Sequence, residues 1–348
     1  MKEFSEITFM KTDTMTGRRR STIYSVAETA GVSISTVSRF LNTPELVAEE
    51  TARRIQSSMS QLDYVPHGHV GLRAHREIRR IGVLCPFFTA PSFVQRLRGM
   101  SEVFQQADCE MVVCAVDSPS QLTGYLRSVS FLRRFDGLVL LSITTPESEA
   151  RRLHASGLHV VVVESSNPFF ASVDADNVLG GWLAAECFLG KGYLPCAFLG
   201  EEAPPPYSPR PSQTRLAGFR ETLEAAGHAL SPDLVRTGKP TIEDAFRMTG
   251  ELMDLARPPR AIFAMSDLMA IGALRAARQR GVAVPGDLAV LGFDDIEAAG
   301  WVGLSTVSQS LVDSGRVAAR LLIQSITHDP ESLQRVHLDV RLVERETT

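Results

Sequence analysis

The residues best suited to chemistry fall in two separate stretches of the 348-residue chain. From Tyr24 to Asn42 the sequence reads YSVAETAGVSISTVSRFLN. Helical spacing gathers Val37 and Leu41 on one side of a short helix and leaves a polar side that ends in Arg39. Such a helix fits the DNA major groove, with its apolar side packed on the helix before it. Much further along, Asp267 follows the apolar run Ala261–Met265, and Arg215 sits in a helical pattern. A carboxylate at the carboxyl end of a strand in an open α/β sheet accepts from two neighbouring hydroxyls of a polyol, and a guanidinium donates in a fork to ring, hydroxyl or acidic oxygens. Asp267 reads equally as a helix cap, and Arg215 also as a helix-surface arginine. Phe87, Phe88, Phe293 and Trp301 offer apolar faces on which a sugar stacks; Phe293 reads more readily as a core residue, and Trp301 as either. No HExxH, GxSxG, P-loop or strand-following GxGxxG is present. The eight histidines have no ligand-like spacing, so neither an enzyme nor a metal or cofactor site is expected.

Two kinds of element must position these groups. Residues 21–63 carry helical spacing alone: Val26 with Ala30, Val37 with Leu41, and Ile55 with Met59 and Leu62. Gly31 ends a first helix, Ser33 caps a second, Asn42-Thr43-Pro44 stops it, and a third runs from about Val47 to Leu62. Residues 1–20 read as a disordered tail. From Ile81 onward, strand-sized apolar runs alternate with helical patterns, which predicts parallel sheets covered on both faces by helices. About eleven strands are too many for one modest sheet, so two lobes are expected. The segment Glu201–Pro211 holds five prolines and reads as a loop at a lobe edge. Leu333–Val343 reads as a last helical turn and a strand, with no leucine-heptad helix for tetramer formation.

Composition narrows the class. The chain is 44% hydrophobic and 22% charged, as in globular proteins, and no apolar run reaches the roughly 18 residues of a membrane span. The N-terminus lacks the apolar core of a secretory signal, and five unpaired-looking cysteines suit a reducing compartment; a cytoplasmic protein without membrane association is expected. Residues 1–80 hold 12 Lys and Arg against 9 Asp and Glu, whereas the remainder holds 24 against 31. A basic head on an acidic body suggests that the head alone meets a polyanion.

The segment from Thr22 to Asn42 resembles the DNA-binding head of the LacI/GalR repressor family, whose pattern T-x-x-x-V-A-x-x-A-G-V-S-x-x-T-V-S-R-x-L-N it follows at nearly every fixed position. The body is similar to the same family's effector domain, on Asp176–Gly181, Gln213–Phe219, Ser266–Ala273, Val284–Asp295 and Leu304–Val307. The resemblance implies an α-helical helix-turn-helix head joined to an α/β, doubly wound, two-lobed domain like periplasmic sugar-binding proteins. It places the head at 21–63, a hinge at 64–79 and the effector domain at 80–345, with one lobe at about 80–176 and 307–336 and the other at about 177–306 and 337–345. By position it assigns base reading to Ile34, Ser35 and Arg39, and backbone contacts to Thr22, Tyr24, Ser33, Thr36, Ser38 and Asn42. Arg215 and Asp267 match effector-contacting positions.

The hinge departs from the family pattern: in Pro66-His-Gly-His-Val-Gly-Leu72-Arg73 the leucine arrives one position early, and Gly68 and Gly71 each weaken a helix by about 1 kcal/mol relative to alanine. Leu72 as a minor-groove wedge and a flexible basic linker both remain open. The resemblance implies a homodimer that binds double-stranded operator DNA under control of a sugar-like small molecule; a ligand carrier without operator control is the alternative.

Overall fold

The computed structural model describes residues 22–42, 46–62, 64, 78–132, 135–328 and 332–348. The expected tail, most of the hinge and Leu72 lie outside the described residues. The chain divides into two units, residues 1–77 and 78–348.

In the first unit, α1 (Ile23–Ala30), α2 (Ile34–Asn42) and α3 (Glu49–Gln61) form a small helical cluster. Thr22 and Ser25 make a reciprocal capping box at the start of α1, which satisfies amide groups that have no intrahelical partner. Gly31 follows α1 at φ +63°, a left-handed conformation that glycine adopts without steric penalty. The Ser33 hydroxyl accepts from the Thr36 amide at 3.1 Å, capping α2. Val26, Ala27, Ala30, Val37, Leu41 and Ile55 are buried together, so the apolar spacing of all three helices closes one core.

The second unit begins with β1 (Arg79–Cys85), α4 (Pro91–Gln106), β2 (Cys109–Ala115), α5 (Pro119–Leu132), β3 (Gly137–Leu141), α6 (Glu147–Ala155), β4 (His159–Val163) and β5 (Ala171–Ala175). It continues with α7 (Asn177–Lys191), β6 (Cys196–Glu201), α8 (Pro211–Ala225), β7 (Val235–Gly238), α9 (Ile242–Met253), β8 (Ala261–Ala264), α10 (Asp267–Gln279), β9 (Ala289–Asp294), α11 (Glu297–Trp301) and β10 (Ser305–Ser308). Then come α12 (Leu311–Thr327), β11 (Arg335–Leu338) and β12 (Arg341–Val343). One sheet has the order β11-β5-β4-β3-β1-β2 and the other β12-β10-β9-β8-β6-β7. All pairs are parallel except β10 with β12. The last segment corrects the expectation of a helical turn plus one strand: it forms two strands, one in each sheet. Its polar alternation carries little strand signal, and pairing along β5 and β10 decides its conformation.

Each sheet is buried on both faces, which explains the unbroken apolar runs. In β1, Ile81, Val83 and Cys85 join one core while Leu84 joins the other; in β4, Val161 and Val163 part from Val160 and Val162 in the same way. The chain passes between the lobes after β5, after β10 and after β11, always at the edge where β5 and β11, or β10 and β12, lie. The two lobes meet through the carboxyl ends of their strands, the place where open parallel sheets bind ligands.

Candidate functional site

The head presents its polar side outward. Ile34 is 42% and Tyr24 67% exposed, and Thr22, Ser33, Ser35 and Arg39 are also exposed, while Thr36 and Ser38 are half-buried. The Ser33 hydroxyl lies 2.7 Å from that of Ser35 and 2.8 Å from that of Thr36, so these groups fix one another's positions at the start of α2. The order buried Val37, exposed Arg39, buried Leu41 lets α2 lie against α1 and α3 while offering Ile34, Ser35 and Arg39 together on one face. Such a face can read base edges. Of Asn42, only the backbone is described.

In the second unit, backbone strain marks where the two sheets face each other. Eight non-glycine residues have positive φ among the described residues, and seven of them (Phe87, Ser142, Glu164, Ala203, Asp294, Asp295 and Ser310) stand at or just past the carboxyl end of a strand. Such conformations persist where the surroundings over-determine them, and they cluster at binding sites.

Charged groups converge here. Arg96 on α4 is buried and donates to Glu164 at 2.5 Å, to the Gln309 side-chain oxygen Oε1 at 3.0 Å and to the Ser314 hydroxyl at 3.1 Å. The Gln309 amide in turn donates to Asp294 at the end of β9. Arg215 on α8 is buried, donates to the Asn177 side chain at 2.8 Å and to the Met265 carbonyl, and lies 3.9 Å from Asp294. Its guanidinium stacks 3.5 Å from the Phe293 ring centre, a cation–π contact strengthened by exclusion of water. Glu164 and Arg96 from one lobe are thus joined through Gln309 to Asp294 and Arg215 from the other.

Small residues set this geometry. A Cβ on Gly315 of α12 would lie 2.0 Å from the Arg96 carbonyl oxygen, and one on Gly181 of α7 would lie 2.1 Å from that of Arg215. Each lobe therefore brings two helices into backbone contact directly under its cleft arginine.

The electrostatics follow from burial. Loss of water pushes the Asp294 carboxyl up to about 6, against the opposing pull of Arg215 and Arg96. Burial likewise holds the Asp267 carboxyl well above its usual range, with the charge of Asp294 adding to it, and raises Glu201 at the end of β6. Burial lowers the Arg215 guanidinium. Charged forms are disfavoured in a poorly solvated site unless opposite charges compensate.

The expected ligand residues divide into three groups. Arg215 lies within the network. Asp267 is completely buried and accepts from the Ile296 amide at 2.8 Å and the Thr306 hydroxyl at 2.5 Å; Ser266, not Asp267, caps α10. Phe293 is also completely buried, so its face carries Arg215 and is not an open stacking surface. Phe87 and Phe88 are about half exposed just after β1, whereas Trp301 is 82% exposed on α11. Sequence reasoning missed Arg96, Glu164, Asn177, Asp294 and Gln309. For Arg96 there was a signal: it shares the buried helical stripe of Phe93, Met100 and Phe104, and a charge on such a stripe needs buried partners. Among the described residues no three His, Cys, Asp or Glu side chains are placed to hold a metal, and no helix is long and apolar enough to cross a membrane. A cavity of about 460 Å³ lies elsewhere, at the amino ends of β4 and β5, and contains none of the network's charges.

Residues 22–67 match the model of bacterial regulatory proteins of the lacI family, and residues 185–348 match that of a periplasmic binding protein-like domain. The ribose operon repressor of Halalkalibacterium halodurans is 30% identical over 331 residues, covering 94% of this chain and 97% of that protein. The solved complex of the transcriptional regulator CelR with cellobiose is 28% identical, with a TM-score of 0.68 over 94% of this chain and all of that one. A LacI family transcriptional regulator from Enterococcus faecium with bound ribose is 26% identical, with a TM-score of 0.69 over 78% of this chain and 98% of that chain. By these likenesses, which run through both the helical head and the two-sheet body, the chain belongs to the lacI family of bacterial regulatory proteins.

Proposed function

We propose that this regulator is a cytoplasmic repressor whose affinity for operator DNA is set by an uncharged, sugar-like molecule bound between the two lobes, and that it acts as a homodimer. One observation carries the reading: a helical head with Ile34, Ser35 and Arg39 on its outer face shares a chain with two sheets whose carboxyl ends meet at a buried polar network. A pair of heads suits a pseudo-palindromic site, since a two-fold protein meets two half-sites in the same way. Ligand and DNA influence each other only if each prefers one arrangement of the lobes. A carrier without operator control would have no use for such a head.

The sugar-like class is supported by the relatives that bind ribose and cellobiose and by charge. Arg96 and Arg215 already answer Glu164 and Asp294. A ligand phosphate or carboxylate would meet cations that are engaged and acids that repel it. Arg215 and Asp294 form the floor, Phe87 and Phe88 the rim on the other lobe, and Asp267 and Phe293 hold the floor from behind. A thermal-shift panel of uncharged pentoses, hexoses and disaccharides on the full chain tests this, with Phe88→Ala as the control. A stabilising sugar whose effect shrinks in the variant is expected. No stabilisation by any of them would overturn the sugar class, and equal stabilisation of both proteins would remove the ligand from this rim.

A further inference from the structure

Between β6 and α8 the chain reads Glu202-Ala-Pro-Pro-Pro-Tyr207-Ser-Pro-Arg210. Consecutive prolines fix φ and lack amide donors, so this segment is stiff and cannot extend a strand ladder. Its base is tied to its own lobe, where the Glu202 amide donates to the Gly238 carbonyl at 2.9 Å. Its tip belongs to the other lobe. Tyr207 is only 8% exposed and shares a core with Leu84, Val116, Ile143 and Phe170. Its hydroxyl donates to the Val116 carbonyl at 2.9 Å, and its own carbonyl accepts from the Thr144 amide at 2.7 Å. The neighbouring Ser208 hydroxyl reaches the Ser142 carbonyl at 3.4 Å.

Position gives these contacts leverage. Val116 follows β2, and Ser142 and Thr144 follow β3, whereas two of the three passages between lobes leave or enter at β5 and β11. Two to four strand spacings, roughly 10–19 Å at ~4.8 Å each, separate Tyr207 from that edge. The passages form the back of the cleft and Tyr207 stands at its mouth, so an opening rotation about the passages must pull the tyrosine out. A further side-chain pair across the lobes, Arg98 with Glu297, is half exposed on both partners, and such surface pairs contribute little.

From this arrangement we infer that Tyr207 is a positioning residue for lobe closure: residues 202–210 are a clasp that holds the mouth of the ligand cleft shut and must lift for a ligand to enter. The ring and hydroxyl do the holding, and the prolines keep the tip at the reach it needs. What the clasp means for the effector rests on the regulatory reading above, but the clasp itself requires neither sugar nor DNA.

Amide hydrogen exchange on the ligand-free full chain tests it, comparing wild type with Tyr207→Ala and Tyr207→Phe. The Thr144 amide reports docking of the tip, and the Val139 and Val161 amides report the integrity of the lobe. In wild type Thr144 is expected to be protected. Tyr207→Ala should speed its exchange at least about tenfold with Val139 and Val161 unchanged, and Tyr207→Phe, which loses only the hydroxyl, should give a smaller increase. Small-angle scattering of the same proteins should show a larger radius of gyration for Tyr207→Ala. An unprotected Thr144 in wild type, an unchanged Thr144 in Tyr207→Ala, or equal acceleration of all three amides would overturn the clasp. So would faster Thr144 exchange in Tyr207→Phe and Tyr207→Ala alike with no change in the radius of gyration. Because no sugar or DNA is present, failure here leaves the regulatory reading standing, and the reverse also holds.

Discussion

Asp294 makes the buried network measurable through pH. Replacing it by Asn keeps the shape and an oxygen that accepts from Gln309 but removes the titrating group. Burial raises its carboxyl from an ordinary 3.8 to about 6. Between those values the folded chain binds a proton that the unfolded chain has released, so stability is greatest at the acidic end and falls as pH rises through about 4 to 6. Two pKa units at ~1.4 kcal/mol each give a contribution of about 3 kcal/mol. Glu201 shifts in the same direction and cancels in the difference, whereas Asp267 keeps its shift from burial and loses the part that the Asp294 charge adds. Urea unfolding followed by circular dichroism from pH 4.5 to 7.5, at fixed protein concentration, gives the two stability curves. The wild-type curve minus the Asp294→Asn curve should fall by about 2 kcal/mol across this range and flatten above pH 7. A flat difference would show that Asp294 titrates as a solvated carboxylate, and one that rises with pH would show that the fold favours its charged form; either would contradict the dry charged floor.

Three further outcomes are expected. Arg39→Ala should weaken binding to a selected duplex by about 1–3 kcal/mol and weaken binding to random DNA by less; equal losses in fluorescence anisotropy would remove Arg39 from base reading. Gly315→Ala places a methyl group where only 2.0 Å separates it from the Arg96 carbonyl oxygen, so α4 and α12 must part at a cost of about 1–3 kcal/mol, seen as a lower urea midpoint; a wild-type midpoint would show that the helices yield freely. Ribose should raise the melting temperature more than ribose 5-phosphate at equal concentration, because the cleft's cations are already paired with acids; a larger shift with the phosphate would mean that one of these arginines is available to an anion.

Much of this organisation was legible in the residues. Apolar spacing marked the three helices of the first unit, because Val26, Ala30, Val37, Leu41 and Ile55 share one buried cluster. Unbroken runs such as Val160–Val163 reported strands covered on both faces. The short edge strands β11 and β12 were not legible as a pair, since edge pairing rather than local propensity makes them. In the site, Arg215 was found from its residue type and motif, but the partners that define its environment come from elements far apart in sequence. Asp294 and Gln309 meet only because β9 and the passage after β10 run side by side, and Glu164 reaches Arg96 only through the stacking of β4 beside β3 and β1. Asp267 carried the right chemistry at the right end of a strand, yet its oxygens are taken by Ile296 and Thr306, which no local pattern announces. Tyr207 looked like part of an edge loop because prolines say where a chain cannot be regular and not what its tip touches.

Lobe closure on a ligand and DNA binding are coupled in the proposed regulator. The most direct test is the affinity of the full chain for a duplex selected from a random library, measured by fluorescence anisotropy without and with a saturating concentration of whichever sugar raises its melting temperature. The account predicts a change of about 5- to 150-fold, absent for a scrambled duplex. An operator affinity unchanged by every sugar that binds would contradict it.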